Sequence, residues 1–284
     1  VRLRSVGLVA SVVVLAAACS RVGASTTTSP GVSVEPASAA SAAPPGGDLE
    51  LQVYAAASLR DAVMQATSVY AAAHPGTTFA VSTDSSAALE TKIELGAPAD
   101  LFLSADTANA QRLVDKGLAV GGMTVFASNH LTIIVPAGDP AGIESPLDLT
   151  RSGVKVIAAG AEVPITKYAE QLVANLARQP GYPADFAARY AANVVSREDN
   201  VGAVAAKIAL GEGDAGIVYV TDARAAATKV RAIDVPESAN VTATYGGDVV
   251  SSSAHEGAAA AFLAWLAGPD GQAILATFGF LAPA

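Results

Sequence analysis

Five positions, Ser58, Ser86, Ile165, Val201 and Tyr219, could act together on one small ligand. The first four each fall at or just before the start of an expected helix, where the first N–H groups have no partner inside the helix. Such an end carries roughly half a positive charge and readily seats an anion. Ser58 reads as an N-cap residue, and both serines add a hydroxyl. Tyr219, at the end of an expected strand, adds a phenolic O–H. None of these groups is a full cation, and all can donate. That suits a fully deprotonated tetrahedral dianion, whose oxygens only accept hydrogen bonds. With ~1.5–3 kcal/mol from each charge-assisted bond, about five to eight donors suffice for micromolar or tighter binding. A serine at one helix start is usually a plain cap worth ~1 kcal/mol, so the chemistry depends on several starts meeting at one point.

The elements that must bring them together alternate. A buried strand ends at Ser58 and a helix follows to about Tyr70. Strands over 78–82 and 100–104 are followed by helices over 87–95 and 105–117. Alternation of this kind predicts a parallel sheet covered by helices. The apolar run 131–136 has no helix directly after it and reads as a crossing from a first lobe to a second. The second lobe is expected to hold strands at 154–158, near 194–195, at 216–220 and at 230–233, with helices over 167–177 and from 198–201 to 210. Residues 242–250 read as a strand returning to the first lobe, followed by a helix over 255–266 and a short one near Gln272. The predicted fold is α/β with two lobes joined by crossing strands: lobe I over 49–131 and 244–284, lobe II over 132–243. The cleft between such lobes is where a small ligand binds.

Composition narrows the function. The 284 residues are 51% hydrophobic but only 5% aromatic, with a formal net charge of −9, so nucleic acid is a poor partner. Residues 1–18 read as an export signal, with Arg2 and Arg4 before an apolar run from Val6 to Ala18 that is shorter than the ~20 residues of a spanning helix. Cys19, the one cysteine in the chain, follows Leu15-Ala16-Ala17-Ala18 as the lipidated cysteine of a bacterial lipobox does, although Ala16 stands where an aliphatic residue is usual. Cleavage before Cys19 would leave 15 Lys+Arg against 26 Asp+Glu, a net −11. Residues 19–48 read as a flexible tether rich in Ser, Thr, Ala, Pro and Gly. The protein is therefore expected outside the cytoplasm, anchored to the cell membrane.

Several strings then point to one family. Ala55-Ala56-Ala57-Ser58-Leu59, Ser85-Ser86, the run from Gly96 to Asp106, Val163-Pro164, and Gly216-Ile217-Val218-Tyr219 with Asp222-Ala223 resemble the molybdate-binding proteins of bacterial ABC importers. The resemblance covers about residues 50–284. It implies a type II periplasmic-binding-protein fold and a monomeric receptor, without cofactor or catalysis, that hands molybdate, and also tungstate, to a membrane permease. It further implies that two serines, two backbone amides and a tyrosine hydroxyl hold the oxyanion, which here are Ser58, Ser86, Ile165, Val201 and Tyr219. Two departures stand out. The family usually has Ala-Gly after Val-Pro, and this chain has Ile165-Thr166, so the isoleucine side chain must point away or narrow the pocket. The position before the serine pair is usually small and uncharged, and here it is Asp84. Either Asp84 turns away to cap its own helix, in which case Asp84→Ala should not weaken binding, or it takes a proton and donates to the anion.

Other signals fail on context. The three glycines of Gly211–Gly216 match a dinucleotide fingerprint, but they follow a helix and precede a strand, the reverse of what it needs. Ser58 lacks the flanking glycines of a nucleophile elbow, and His74, His130 and His255 have no ligand-spaced partners for a transition metal. Asn240-Val241-Thr242 fits a glycosylation sequon that a bacterial export signal argues against. Trp265 reads as core. Two alternatives stay open at this level: the same fold holding sulfate or phosphate, and an enzyme acting on a small anion, for which only Asp84, Glu198 and Asp199 could serve as acid or base.

Overall fold

The computed structural model describes residues 49–283; the expected export signal, Cys19 and the tether lie outside them. The chain opens with β1 (Leu49–Ala56), a 3-10 turn (Ala57–Leu59), α1 (Arg60–Ala73), β2 (Thr77–Asp84), α2 (Ser86–Glu94), β3 (Leu101–Ser104) and α3 (Thr107–Asp115). A long strand follows, β4 (Thr124–Pro136), then β5 (Val156–Ala159), α4 (Pro164–Leu176), α5 (Phe186–Ala192), β6 (Val194–Glu198) and α6 (Val201–Ala209). The remainder is β7 (Ala215–Tyr219), α7 (Val220–Ala225), β8 (Val230–Ile233), β9 (Thr242–Val249), α8 (Glu256–Ala267) and α9 (Pro269–Phe278). No helix among the described residues is long and apolar enough to cross a membrane.

Across the sheet the order is β2-β1-β3-β9-β4-β7-β5-β6, with β8 also on β4. The expected parallel pairing holds at the two ends, where β1 runs with β2 and β3, and β5 with β6 and β7. The middle is antiparallel, because β4 and β9 run back against their neighbours. Strand β4 belongs to both halves: residues 124–130 pair with β9, and residues 131–136 pair with β7 and β8. The sequence reveals only its apolar second half, since Ser128, Asn129 and His130 interrupt the pattern. Ser128 and Asn129 are nonetheless buried.

Two short helices, α5 and α7, escape a periodicity argument. Helix α7 has six residues, too few to show a 3.6-residue repeat. It starts directly from β7, held by the Tyr219 N–H donating to Asp222 Oδ2 at 3.1 Å. The stretch Gly211–Gly216 joins α6 to β7, the inverted context that argues against a nucleotide site. Gly216 is required for packing: a Cβ there would meet Val204 Cγ1 at 2.9 Å and the Ile157 carbonyl oxygen at 3.0 Å.

The principal core runs under the whole sheet and includes Leu51, Val53, Phe126, Ile133, Val218 and Phe262. Trp265 belongs to its edge, with its ring centroid 5.1 Å from that of Tyr70. A second cluster lies between α2, α3 and the sheet, built on Leu89, Ile93, Phe102 and Leu113. Beside it on β9, across from Phe102 in the β3–β9 ladder, is Asp248, which is 1% exposed and has both carboxylate oxygens without a partner. Burial pushes its pKa up to about 7.

An aspartate raised this far binds a proton in the native state that the unfolded chain has already released. Native stability must therefore fall as pH rises from about 4 through about 7. Asp248→Asn keeps the shape and removes the charge. At pH 8 it is expected to stabilise the fold by about 1–3 kcal/mol, the scale of an unsatisfied buried polar group. The gain should shrink to little below pH 4, where the carboxyl is protonated in both states. Urea unfolding at pH 4 and pH 8 measures both.

Candidate functional site

The segment that ends β1 does not fold as a simple strand-to-helix cap. Ala57–Leu59 forms a 3-10 turn, and the α-helix starts only at Arg60. Ser58 thus sits inside the turn, which corrects the expectation of an N-cap there. The functional consequence survives, because the N–H groups of Ala57 and Ser58, the first two of the 3-10 turn, are left without intrahelical carbonyls. At α2 the cap is Ser85, whose Oγ accepts from the Ala88 N–H at 3.3 Å. Ser86 is the first helical residue, fully buried.

In α4 one donor is singled out by elimination. Helix α4 starts three residues earlier than the sequence indicated, with Val163 as its N-cap. The Val163 N–H donates to Gly160 O and the Thr166 N–H to Val163 O. Pro164 has no N–H. The Ile165 N–H is what remains in that turn. The Ile165 side chain is packed in the core, and the Thr166 hydroxyl is turned back onto Gly160 O at 2.6 Å. The Ile165-Thr166 departure from the family pattern is thereby accommodated without the Thr166 hydroxyl lining the pocket. In α6, Asn200 caps the helix by accepting from the Ala203 N–H at 3.0 Å, which leaves the Val201 and Gly202 N–H groups free.

The structure brings all five predicted residues together. Ser58, Ser86, Ile165, Val201 and Tyr219 border one cavity, with Ala56, Ala57, Ser85, Ala105, Val163, Pro164 and Asn200. Its empty volume is about 200 Å³, below the ~300–1,000 Å³ of a drug-sized site. None of the twelve lining residues is charged. A larger space of about 760 Å³ lies on the far side of α4, lined mainly by apolar groups such as Val173 and Ile217, and it shares Ile165 but none of the hydroxyls.

Hydrogen bonds around the cavity fix which way its hydroxyls face. The Ala105 N–H donates to Ser86 Oγ at 2.9 Å, so the serine acts as acceptor toward the protein and keeps its proton for the cavity. Ser58 is set through a longer chain. Asn129 Nδ2 donates to Thr221 Oγ1 at 2.9 Å and to the Tyr245 oxygen at 3.4 Å. Tyr245 and Ser58 Oγ are 3.0 Å apart. With Tyr245 already accepting from Asn129, the favourable arrangement has Tyr245 donating to Ser58 Oγ, and the Ser58 proton is again left for the cavity. Tyr219 OH is buried and has no hydrogen-bond partner among the described residues. Burial raises the pKa of both phenols, Tyr219 and Tyr245, well above the usual value, so at neutral pH both stay protonated.

Asp84 does not line the cavity. One carboxylate oxygen accepts from the Ser85 N–H at 2.8 Å and from Asn200 Nδ2 at 3.4 Å, and the other pairs with Lys92 Nζ at 3.1 Å. Of the two arrangements open from the sequence, the carboxylate adopts the one turned away from the pocket.

Sequence reasoning missed Tyr245 and Asn129. Both lie in strand interiors, with no helix start or motif to mark them. It also missed Asn200, which carries the ordinary signal of an Asn before an apolar helix.

Comparison with known proteins agrees with this architecture. Residues 51–281 match the family described as bacterial extracellular solute-binding protein. The molybdate-binding protein ModA of Mycobacterium tuberculosis is 35% identical over 242 residues, covering 85% of this chain and 88% of that protein. The periplasmic molybdate-binding protein of Azotobacter vinelandii superposes with a TM-score of 0.70 at 23% identity, over 82% of this chain and all of the other. The sulfate-binding protein SubI of M. tuberculosis superposes with a TM-score of 0.73 at 22% identity, over 82% and 86% of the two chains. At those identities the superpositions speak for the fold, an α/β periplasmic-binding-protein fold. The family match over nearly all of the described residues, together with the 35% identity, shows that the chain belongs to the bacterial extracellular solute-binding proteins.

Proposed function

We propose that this protein is the receptor of an ABC importer, that it binds molybdate, with tungstate as an equivalent ligand, and that it does so through Ser58, Ser86, Ile165, Val201 and Tyr219. One observation carries the reading: those five residues, contributed from both halves of the sheet, border one uncharged cavity into which the serine protons are free to point. The identity to a molybdate-binding relative supports the choice of anion. The two halves of the sheet act as lobes, 49–131 with 244–284 and 132–243, closing on the anion and creating the surface that a permease reads. Lipidation at Cys19 would hold the receptor beside that permease.

The donor set also explains what should be refused. A hydrogen phosphate brings an O–H that needs an acceptor, and the serine oxygens, each with one acceptor position engaged by Ala105 or Tyr245, accept it only by giving up a donated bond to the anion. An unmet polar group in a closed site costs ~1–3 kcal/mol. Sulfate has no such proton, so it must be discriminated by size, through amides held on rigid helix ends.

In thermal shift assays, molybdate and tungstate are expected to raise the melting temperature strongly, each adding ~2.7 kcal/mol at 100 times its dissociation constant. Phosphate should give no shift and sulfate a small one. A sulfate shift equal to that of molybdate would replace the ligand, and no shift with any of the four would remove the reading.

Tyr219→Phe separates binding from folding. The Tyr219 hydroxyl bonds to no described protein group, so its removal is expected to leave the stability of the fold nearly unchanged, while binding weakens by ~1.5–3 kcal/mol, roughly 10- to 100-fold. Tyr245→Phe is expected to weaken binding about fivefold, since Ser58 loses the donor that orients it. Isothermal titration and urea unfolding on the same preparations give both quantities.

A further inference from the structure

We infer that Asp84 and Asn200 form a latch that holds the cleft shut over the ligand, so that Asp84 is a positioning residue for anion retention and not a ligand. This rests on the proposed function for the identity of the anion, but the contact itself is a property of the protein alone.

The two residues are 116 positions apart and stand at the N-termini of two different helices, both of which border the cavity. Asp84 precedes α2. Its Oδ1 takes the Ser85 N–H at 2.8 Å, and Ser85 in turn caps α2 through Ala88. Asn200 caps α6. Its amide orientation follows from chemistry: Oδ1 must face the Ala203 N–H to accept, so the NH2 end faces outward. That end reaches Asp84 Oδ1 at 3.4 Å. One carboxylate oxygen therefore ties the start of α2 to the start of α6, from one side of the cavity to the other.

A second contact lies alongside. Gly202, two residues after Asn200, faces the 3-10 turn of Ser58, and a Cβ there would be 3.8 Å from the Ala57 Cβ. The two walls approach at the turn and at Asp84, with the cavity between.

The charge on Asp84 is handled separately. Lys92, two turns further along the same helix, neutralises the outer oxygen at 3.1 Å. The carboxylate can thus stand next to a dianion site without presenting an unbalanced charge to it. The latch also reverses an expectation from sequence. A carboxylate that merely turned away could be removed without loss; one that closes the cleft cannot.

The test is a double-mutant cycle on release of molybdate, followed by stopped-flow fluorescence. Asp84→Ala removes the acceptor. Asn200→Ser keeps a capping oxygen for α6 and removes only the reaching amide. Each single variant is expected to release molybdate about fivefold faster than wild type, the scale of one exposed charge-assisted hydrogen bond. The double variant should release no faster than either single one. Unchanged release in the single variants, or effects that multiply in the double, would overturn the latch. A ligand-free measurement keeps the latch separate from the identity of the anion. Spin labels at Leu95→Cys and Leu210→Cys, in a Cys19→Ser background, sit on exposed ends of α2 and α6. Pulsed dipolar spectroscopy should show longer distances populated in Asp84→Ala than in the protein with Asp84 intact. Identical distance distributions would refute the latch even if molybdate binds as proposed, and failure to bind molybdate with altered distances would refute only the choice of anion.

Discussion

A hydroxyl group can give one hydrogen bond and take two, and the site depends on removing that ambivalence. Ser86 Oγ takes the Ala105 N–H, and Ser58 Oγ is paired with Tyr245, which itself accepts from Asn129. With an acceptor position of each serine engaged by the protein, its proton is left free to turn toward the cavity. The backbone groups there are N–H donors by nature. Under the proposed function a pocket built in this way has no need of lysine or arginine: it would offer an anion fixed partial charges that cost no reorganisation, and it would favour ligands that only accept.

Keeping full charges outside is the complementary constraint. The protein carries a formal net charge of −9, and an uncompensated carboxylate at the cavity would repel a dianion through a medium of low dielectric. The nearest acid before the serine pair, Asp84, is held by Ser85, Asn200 and Lys92 and so faces away. Deeper in the fold the same economy is relaxed. Asp222, buried three residues after Tyr219, has its pKa raised to about 7, chiefly by burial, while it accepts the Tyr219 N–H. It helps fix the backbone from which the phenol projects, at some electrostatic cost.

Much of this was legible in the chain because helix starts leave local signatures. Ser85-Ser86 and the apolar run after Asn200 mark the starts at Ser86 and Val201, whereas Ile165 was placed near a helix start expected three residues too late, and Val163-Pro164 served only as part of the family resemblance. Ser58 was found for a partly mistaken reason, since it stands two residues past Ala56, the cap of the 3-10 turn, while its N–H stays free. The half of β4 containing Asn129 was invisible, because its buried polar residues look like a loop until their partners on α7 and β9 are known. Tyr245 has the same difficulty. Its role is defined wholly by residues 116 and 187 positions away.

What places Tyr245 is pairing register. In the β4–β9 ladder Ala127 lies opposite Tyr245 and Asn129 opposite Ala243, and in the β4–β7 ladder Leu131 lies opposite Tyr219. Residues 127, 129 and 131 alternate onto one face of β4, so Asn129 and both tyrosines share that face, the two rings 5.8 Å apart. The register shifts between Val125 and Ala127, where β4 carries an irregularity. A one-residue slip would send every side chain of that stretch to the opposite face. A bulge of this kind re-aims a strand, and here it lies just ahead of the residues that orient Ser58. The chemistry of the pocket is thus fixed as much by one misaligned residue in a crossing strand as by the helix ends that surround it.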